Sequence, residues 1–196
     1  MRRLRRTTRL ALWIALAALF LCPLAVIGIR WLTAARAPHF DTSYLSIRAD
    51  PGDAHVFHGE WDISVRDLNS VFHLDANGDG DVTFDELKPH FPKLAQYAYA
   101  HLRFSDGHNA CAIRPEQVEE ANRSGAEEYM VLLFRVVCRA AKPDILSVEY
   151  RLFVASDPSH TGLLVFHDRG RTDTALLSAA NKRVRLHLPA GSGGPE

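Results

Sequence analysis

Apolar positions along the chain fall into one unbroken run, a short helical stretch and a series of alternating segments. Residues 10–29 (LALWIALAALFLCPLAVIGI) carry no charge at all. From Ser43 to Arg48 the pattern alternates, with Leu45 and Ile47 on one face, which predicts a strand. Pro51-Gly52-Asp53 predicts a turn, and His55–Trp61 a second strand, so that the pair forms a hairpin. Ser64-x-x-Asp67 marks a helix start. Leu68, Val71 and Phe72 then fall at i, i+3 and i+4, an apolar stripe that runs out at Leu74. Pro92 suits the first turn of a further helix over 92–100. Leu102–Phe104 leads into a turn at Ser105-Asp106-Gly107-His108.

Beyond residue 110 the pattern is that of strands. Tyr129–Cys138 (YMVLLFRVVC) is too apolar to be half-exposed and predicts a central strand. Leu146–Val154, Gly162–His167 and Arg183–Leu188 predict further strands, separated by turns at Asp157-Pro158-Ser159-His160 and Gly170-Arg171. Short strands at this spacing predict a mainly β fold, an antiparallel sandwich, over residues 38–188. A helix–loop–helix at 64–91 is inserted in it. Residues 189–196 (PAGSGGPE) read as a flexible tail.

The charge-free run lies between two basic flanks. Residues 1–9 (MRRLRRTTR) hold five Arg and no acid. Twenty residues at roughly 1.5 Å rise span about 30 Å, the thickness of a bilayer's hydrocarbon core. Basic flanks stay in the cytoplasm, so residues 1–9 would remain inside and residues 38–196 would be extracytoplasmic. Two readings stand for 10–29: an uncleaved signal anchor, or a signal peptide ending near Ala35-Arg36-Ala37.

Net charge is zero over the whole chain, but the signs are segregated. Residues 38–196 hold 16 basic and 23 acidic side chains, a net of −7. Nucleic acid wants a basic stripe that displaces counterions, so it is excluded as a partner. Of three cysteines, Cys22 lies in the apolar run. Cys111 and Cys138 remain, and an even pair in an oxidising compartment predicts a disulfide. Two buried free thiols are the alternative. Closing that loop would contribute roughly 3 kcal/mol on the chain-entropy model.

One motif is specific. Residues 75–86 read D-A-N-G-D-G-D-V-T-F-D-E. A calcium loop of the EF-hand type needs oxygen ligands at positions 1, 3, 5, 7, 9 and 12 and Gly at position 6. Asp75, Asn77, Asp79, Asp81, Thr83 and Glu86 fill those ligand positions, and Gly80 fills the sixth. Asp81 would act through its backbone carbonyl, Thr83 through its hydroxyl or a water, and Glu86 bidentately. Val82 occupies the apolar position by which paired loops meet. Three carboxylates among the side-chain ligands suit Ca²⁺, a hard cation. The sequence holds no second loop, and Pro89 must shorten or kink the outgoing helix. Both features favour a lone structural site of weak, extracellular-type affinity over a signalling switch.

The stretches SYLSIRAD, VFHGEWDISVRDLNSVFHLDANGDGDVTFDEL, AYAHLRFSDGHNAC, LLFRVVC and LSVEYRLFVASDPSHTGLL together resemble the extracytoplasmic N-terminal region of HupE/UreJ-type bacterial membrane proteins. The likeness covers residues 40–188. It is most specific at W-D-I-x-x-R-D-L, the calcium-type loop and D-P-x-H-x-G-L-L. The resemblance implies an ectodomain that precedes a polytopic membrane domain, a family link to nickel or cobalt uptake, and Cys111 and Cys138 at the family's Cys positions. The polytopic segment with its His/Asp motif does not occur in these 196 residues. Two functions follow as expectations: a calcium-binding, membrane-tethered module with a structural or interaction role, or an accessory of metal uptake that partners a polytopic membrane protein, including as the first part of a split transporter gene.

Weaker constellations add little. His55 and His58 are three apart in a predicted strand and point to opposite faces. His160 and His167 with Asp157 and Asp168 would form a metal site only if two turns met, and His39 with Asp41 reads as surface. No G-x-S-x-G elbow, H-E-x-x-H pair or phosphate loop occurs, so no enzyme and no small-molecule substrate is expected.

Overall fold

The structure is a computed structural model that describes residues 42–122 and 128–189. The predicted membrane segment at 10–29, the flank at 1–9, His39, Asp41 and nearly all of the predicted tail at 189–196 lie outside the described residues. Among the described residues no helix is long and apolar enough to cross a membrane.

Among the described residues there are nine strands and three α-helices: β1 Thr42–Ala49, β2 Val56–Ser64, α1 Val65–Phe72, α2 Phe84–Leu87, α3 Phe91–Ala100, β3 Leu102–Ser105, β4 Ala110–Asn122, β5 Glu128–Val137, β6 Ile145–Tyr150, β7 Thr161–Asp168, β8 Arg171–Leu177 and β9 Arg183–His187. A 3₁₀ turn, Lys88–His90, joins α2 to α3. The strands form one sheet in the order β8-β7-β1-β2-β5-β4-β3-β6-β9. Its two edge strands approach each other, so the sheet is nearly closed into a barrel.

The mainly β class holds; the antiparallel sandwich does not. The strands belong to one sheet, and β1 runs parallel to β7, with Thr42 opposite Thr161 and Arg48 opposite His167. Alternation tells which face of a strand is buried, and a curled single sheet has a buried inner face just as two stacked sheets do. The β1–β2 hairpin is present, with Leu45 opposite Trp61. β5, the apolar run, is the fifth strand of nine and pairs with β2 on one side and β4 on the other. The strand predicted to reach Val154 stops at Tyr150, and Phe153 takes a positive φ of 55° in the turn that follows. β8 was not predicted, because its TDTALL pattern is largely exposed.

Inward residues of the sheet pack with α1 and α3 into one core, in which Leu45, Ile47, Phe57, Trp61, Phe134, Tyr150 and Phe166 are fully buried. Two glycines are needed for this packing. A Cβ on Gly59 would lie 2.3 Å from the Phe134 ring, and one on Gly162 would lie 2.9 Å from the Tyr150 ring. Cys111 and Cys138 are joined by a disulfide across the β4–β5 ends, with Sγ atoms 2.02 Å apart.

Candidate functional site

The loop that the sequence singles out connects α1 to α2. Ser64 caps α1, its Oγ accepting from the Asp67 N–H at 3.5 Å. The helix presents Leu68 to the core and ends at His73, which adopts the left-handed conformation. Asn69 receives the next two amides, with its Oδ1 accepting from the N–H of Leu74 at 2.7 Å and of Asp75 at 3.1 Å. The helix exit and the loop entrance are therefore held by one side chain.

Within the loop, backbone amides meet the predicted ligands. Asp75 accepts from the N–H of Gly78 (2.7 Å) and of Gly80 (2.9 Å). Asn77 Oδ1 accepts from the Asp79 N–H at 2.8 Å, and Asp79 Oδ1 from the Asp81 N–H at 3.0 Å. Gly78 and Gly80 take φ of 75° and 97°, a region that costs glycine nothing and other residues strain. Glu86 reaches back over the loop. One oxygen accepts from the Ala76 N–H at 3.1 Å; the other accepts from the Thr83 N–H at 2.9 Å and its hydroxyl at 2.8 Å. The amide and hydroxyl of Thr83 hold the Glu86 carboxyl below its ordinary value of 4.5.

The donor set is all oxygen, as a hard divalent cation requires. In this conformation, however, the carboxylates are engaged with the loop's own amides. Among the described residues, no three His, Cys, Asp or Glu side chains stand together in a group able to hold a metal ion. A cation would compete with those hydrogen bonds, each worth about 1 kcal/mol. α2 is only four residues long and Pro89 follows it in the 3₁₀ turn, as the sequence requires. Val82 packs into the domain's own core.

The other sequence candidates are dispersed. His55 Nδ1 lies 2.5 Å from Asp53, and His58 Nε2 lies 2.9 Å from Asp50. Asp157 binds the amide and hydroxyl of Ser159, at 2.9 and 2.6 Å. His167 meets the Thr172 hydroxyl at 3.1 Å. His160 is 1% exposed and belongs to a different arrangement altogether.

That arrangement escaped the sequence reading, which placed His160 in a turn beside Asp157. It is a chain of buried polar groups. Trp61 Nε1 donates to Ser43 Oγ at 3.2 Å, Ser43 Oγ lies 2.8 Å from the Tyr150 hydroxyl, and that hydroxyl lies 2.7 Å from His160 Nε2. His160 Nδ1 then faces Asp67 Oδ2 at 3.6 Å, an ion-pair rather than a hydrogen-bond distance. Indole can only donate, so Ser43 Oγ is the acceptor at the Trp61 end of the chain. Between Ser43 and Tyr150 either hydroxyl can donate, and the direction of the Tyr150–His160 bond follows the His160 tautomer. Burial pushes the Tyr150 hydroxyl up, against the lowering effect of Ser43. The available signal was W-D-I-x-x-R-D-L and D-P-x-H-x-G-L-L: Trp61 and Asp67 come from the first, His160 and Gly162 from the second.

Compared with known proteins, the chain matches no family model and no curated protein.

Proposed function

We propose that the chain is a calcium-binding, membrane-tethered extracytoplasmic module with a structural or interaction role. The single observation that carries this reading is the folded state of the 75–86 loop. Its glycines take positive φ, and its amides gather on Asp75, Asn77, Asp79 and Glu86, the positions of an oxygen-ligand loop. Asp75, Asn77, Asp79 and Glu86 would hold the ion through side chains, Asp81 through its carbonyl, and Thr83 directly or through water. The ion would supply positive charge that pulls the loop's ends together. Releasing Glu86 from Thr83 and Ala76 opposes binding, so the affinity belongs to the weak range of extracellular modules, about 10⁻⁴–10⁻³ M. The Cys111–Cys138 bond supports an oxidising compartment. The charge-free run at 10–29 supports a tether, and the HupE/UreJ-type likeness supports a polytopic membrane protein as partner.

Isothermal calorimetry on the full chain in detergent, with calcium as titrant, tests the reading. Calcium heat that disappears in Asp75→Ala and Glu86→Gln is expected. Absence of both heat and any rise in melting temperature at millimolar calcium would overturn it. Tight nickel binding that is lost on removal of histidines but kept in Asp75→Ala would instead support the metal-uptake role.

A further inference from the structure

A cleft of about 410 Å³ opens between the β3–β4 turn, the 139–145 loop and the edge strand β9. Its chemistry differs from that of the domain as a whole. Ser105 lies opposite Ser147, and Ser147 opposite Arg185, so three strands place two hydroxyls and a guanidinium in one row on one face. Arg183 follows two residues earlier on β9, and Lys142 completes the cationic lining. Glu149 receives both Arg183 and Arg151, each at 2.5 Å, so Arg183 is held at the cleft wall by a carboxylate. Arg185 makes no ion pair among the described residues.

Two acids share the lining, Asp106 and Asp144. Asp106 is 5% exposed, and its carboxylate accepts from the amides of His108 (3.0 Å), Asn109 (2.6 Å) and Ala140 (3.1 Å). Those three bonds occupy both of its oxygens, hold its carboxyl below the usual carboxylate range and tie the turn to the facing loop. The Cys111–Cys138 bond lies between the same two segments, and the Leu188 amide binds the Asp144 carbonyl at 2.9 Å. The walls are therefore set before any ligand arrives. Residues 38–196 carry a net of −7, yet this lining sets Lys142, Arg183 and Arg185 and two hydroxyls against Asp106 and Asp144, with Arg183 held by Glu149 and Arg185 in the row with Ser105 and Ser147. Donors of this kind, rigidly placed, complement an oxyanion.

We propose that this cleft binds a small solute bearing an oxyanion, a carboxylate or a phosphate. The test is an NMR titration of the full chain in detergent with sodium phosphate, with sodium succinate, and with sodium chloride at matched ionic strength. Saturable shifts at the amides of 105–109, 140–147 and 183–185 are expected with phosphate, succinate or both, and not with chloride. Saturation by one alone assigns the phosphoryl or the carboxylate class. Arg185→Gln should weaken binding roughly tenfold, the loss of one charge-assisted hydrogen bond, whereas Arg48→Gln, the same charge change elsewhere on the sheet, should leave it unchanged. Should Arg185→Gln lose its folded spectrum, Lys142→Gln decides the matter by the same criterion. Shifts no larger than those in chloride, or affinities that Arg185→Gln and Lys142→Gln leave intact, overturn the proposal. Calcium binding at 75–86 is read separately, so either result stands without the other.

Discussion

The buried chain from Trp61 to Asp67 and the exposed loop from Asp75 to Glu86 use the same groups, carboxylates and hydroxyls, under opposite conditions. In the loop every polar contact is local: partners are 2 to 10 residues apart, and water stands ready to replace any bond that breaks. In the chain Ser43 meets Tyr150 across 107 residues, and water is excluded. A hydrogen bond of unchanged length therefore has different consequences in the two places. Losing one in the loop costs the small difference between protein and water as partner. Losing one in the core strands its partner without any replacement, at the full desolvation cost.

The contrast can be broken most directly at Asp67. Asp67→Ala removes the carboxylate facing His160 and should destabilise the fold by about 1–3 kcal/mol, the cost of leaving a buried polar group without its partner, seen as a lower urea midpoint. An effect below about 1 kcal/mol, the level of a surface pair, would show that the buried chain behaves like the loop. Next comes Tyr150→Phe, which leaves Ser43 and His160 without the hydroxyl between them. A loss of about 1–3 kcal/mol is expected in the same measurement. Asp75→Ala should cost less than about 1 kcal/mol in EDTA, because its two amide partners turn to water. The same substitution should abolish the rise in melting temperature caused by calcium, and a rise that persists would remove Asp75 from the site.

The smallest effect is one of pH. The folded-state value of Glu86 is lowered, so its contribution to stability is complete above about 4.5 and fades as pH falls through the folded value. Urea melts in EDTA from pH 6 to pH 3 should show wild type losing part of its advantage over Glu86→Gln in that acid window. Parallel curves would mean that the Thr83 contacts do not favour the ionised carboxyl.

The sequence by itself determined what depends on near neighbours. Alternation placed β1, β9 and an overlong β6, a continuous apolar run placed β5, strand-like segments between turn signals placed β2 and β7, and Ser64 and the apolar stripe after it placed α1. The 75–86 loop was readable residue by residue, because its geometry is a property of twelve consecutive positions. Pro89 likewise announced the short α2, since its missing N–H acts on the helix in which it lies. Tertiary structure alone decided the rest. One curled sheet and two stacked sheets share an alternating pattern, so the parallel β1–β7 pairing and the near-closure of the edges had no local signature. Nor did the meeting of Ser43, Trp61, Asp67, Tyr150 and His160, or the row of Ser105, Ser147 and Arg185. Each needs strands far apart in the chain to be brought side by side, and the energy that aligns them is the burial of the whole core, which no single segment carries.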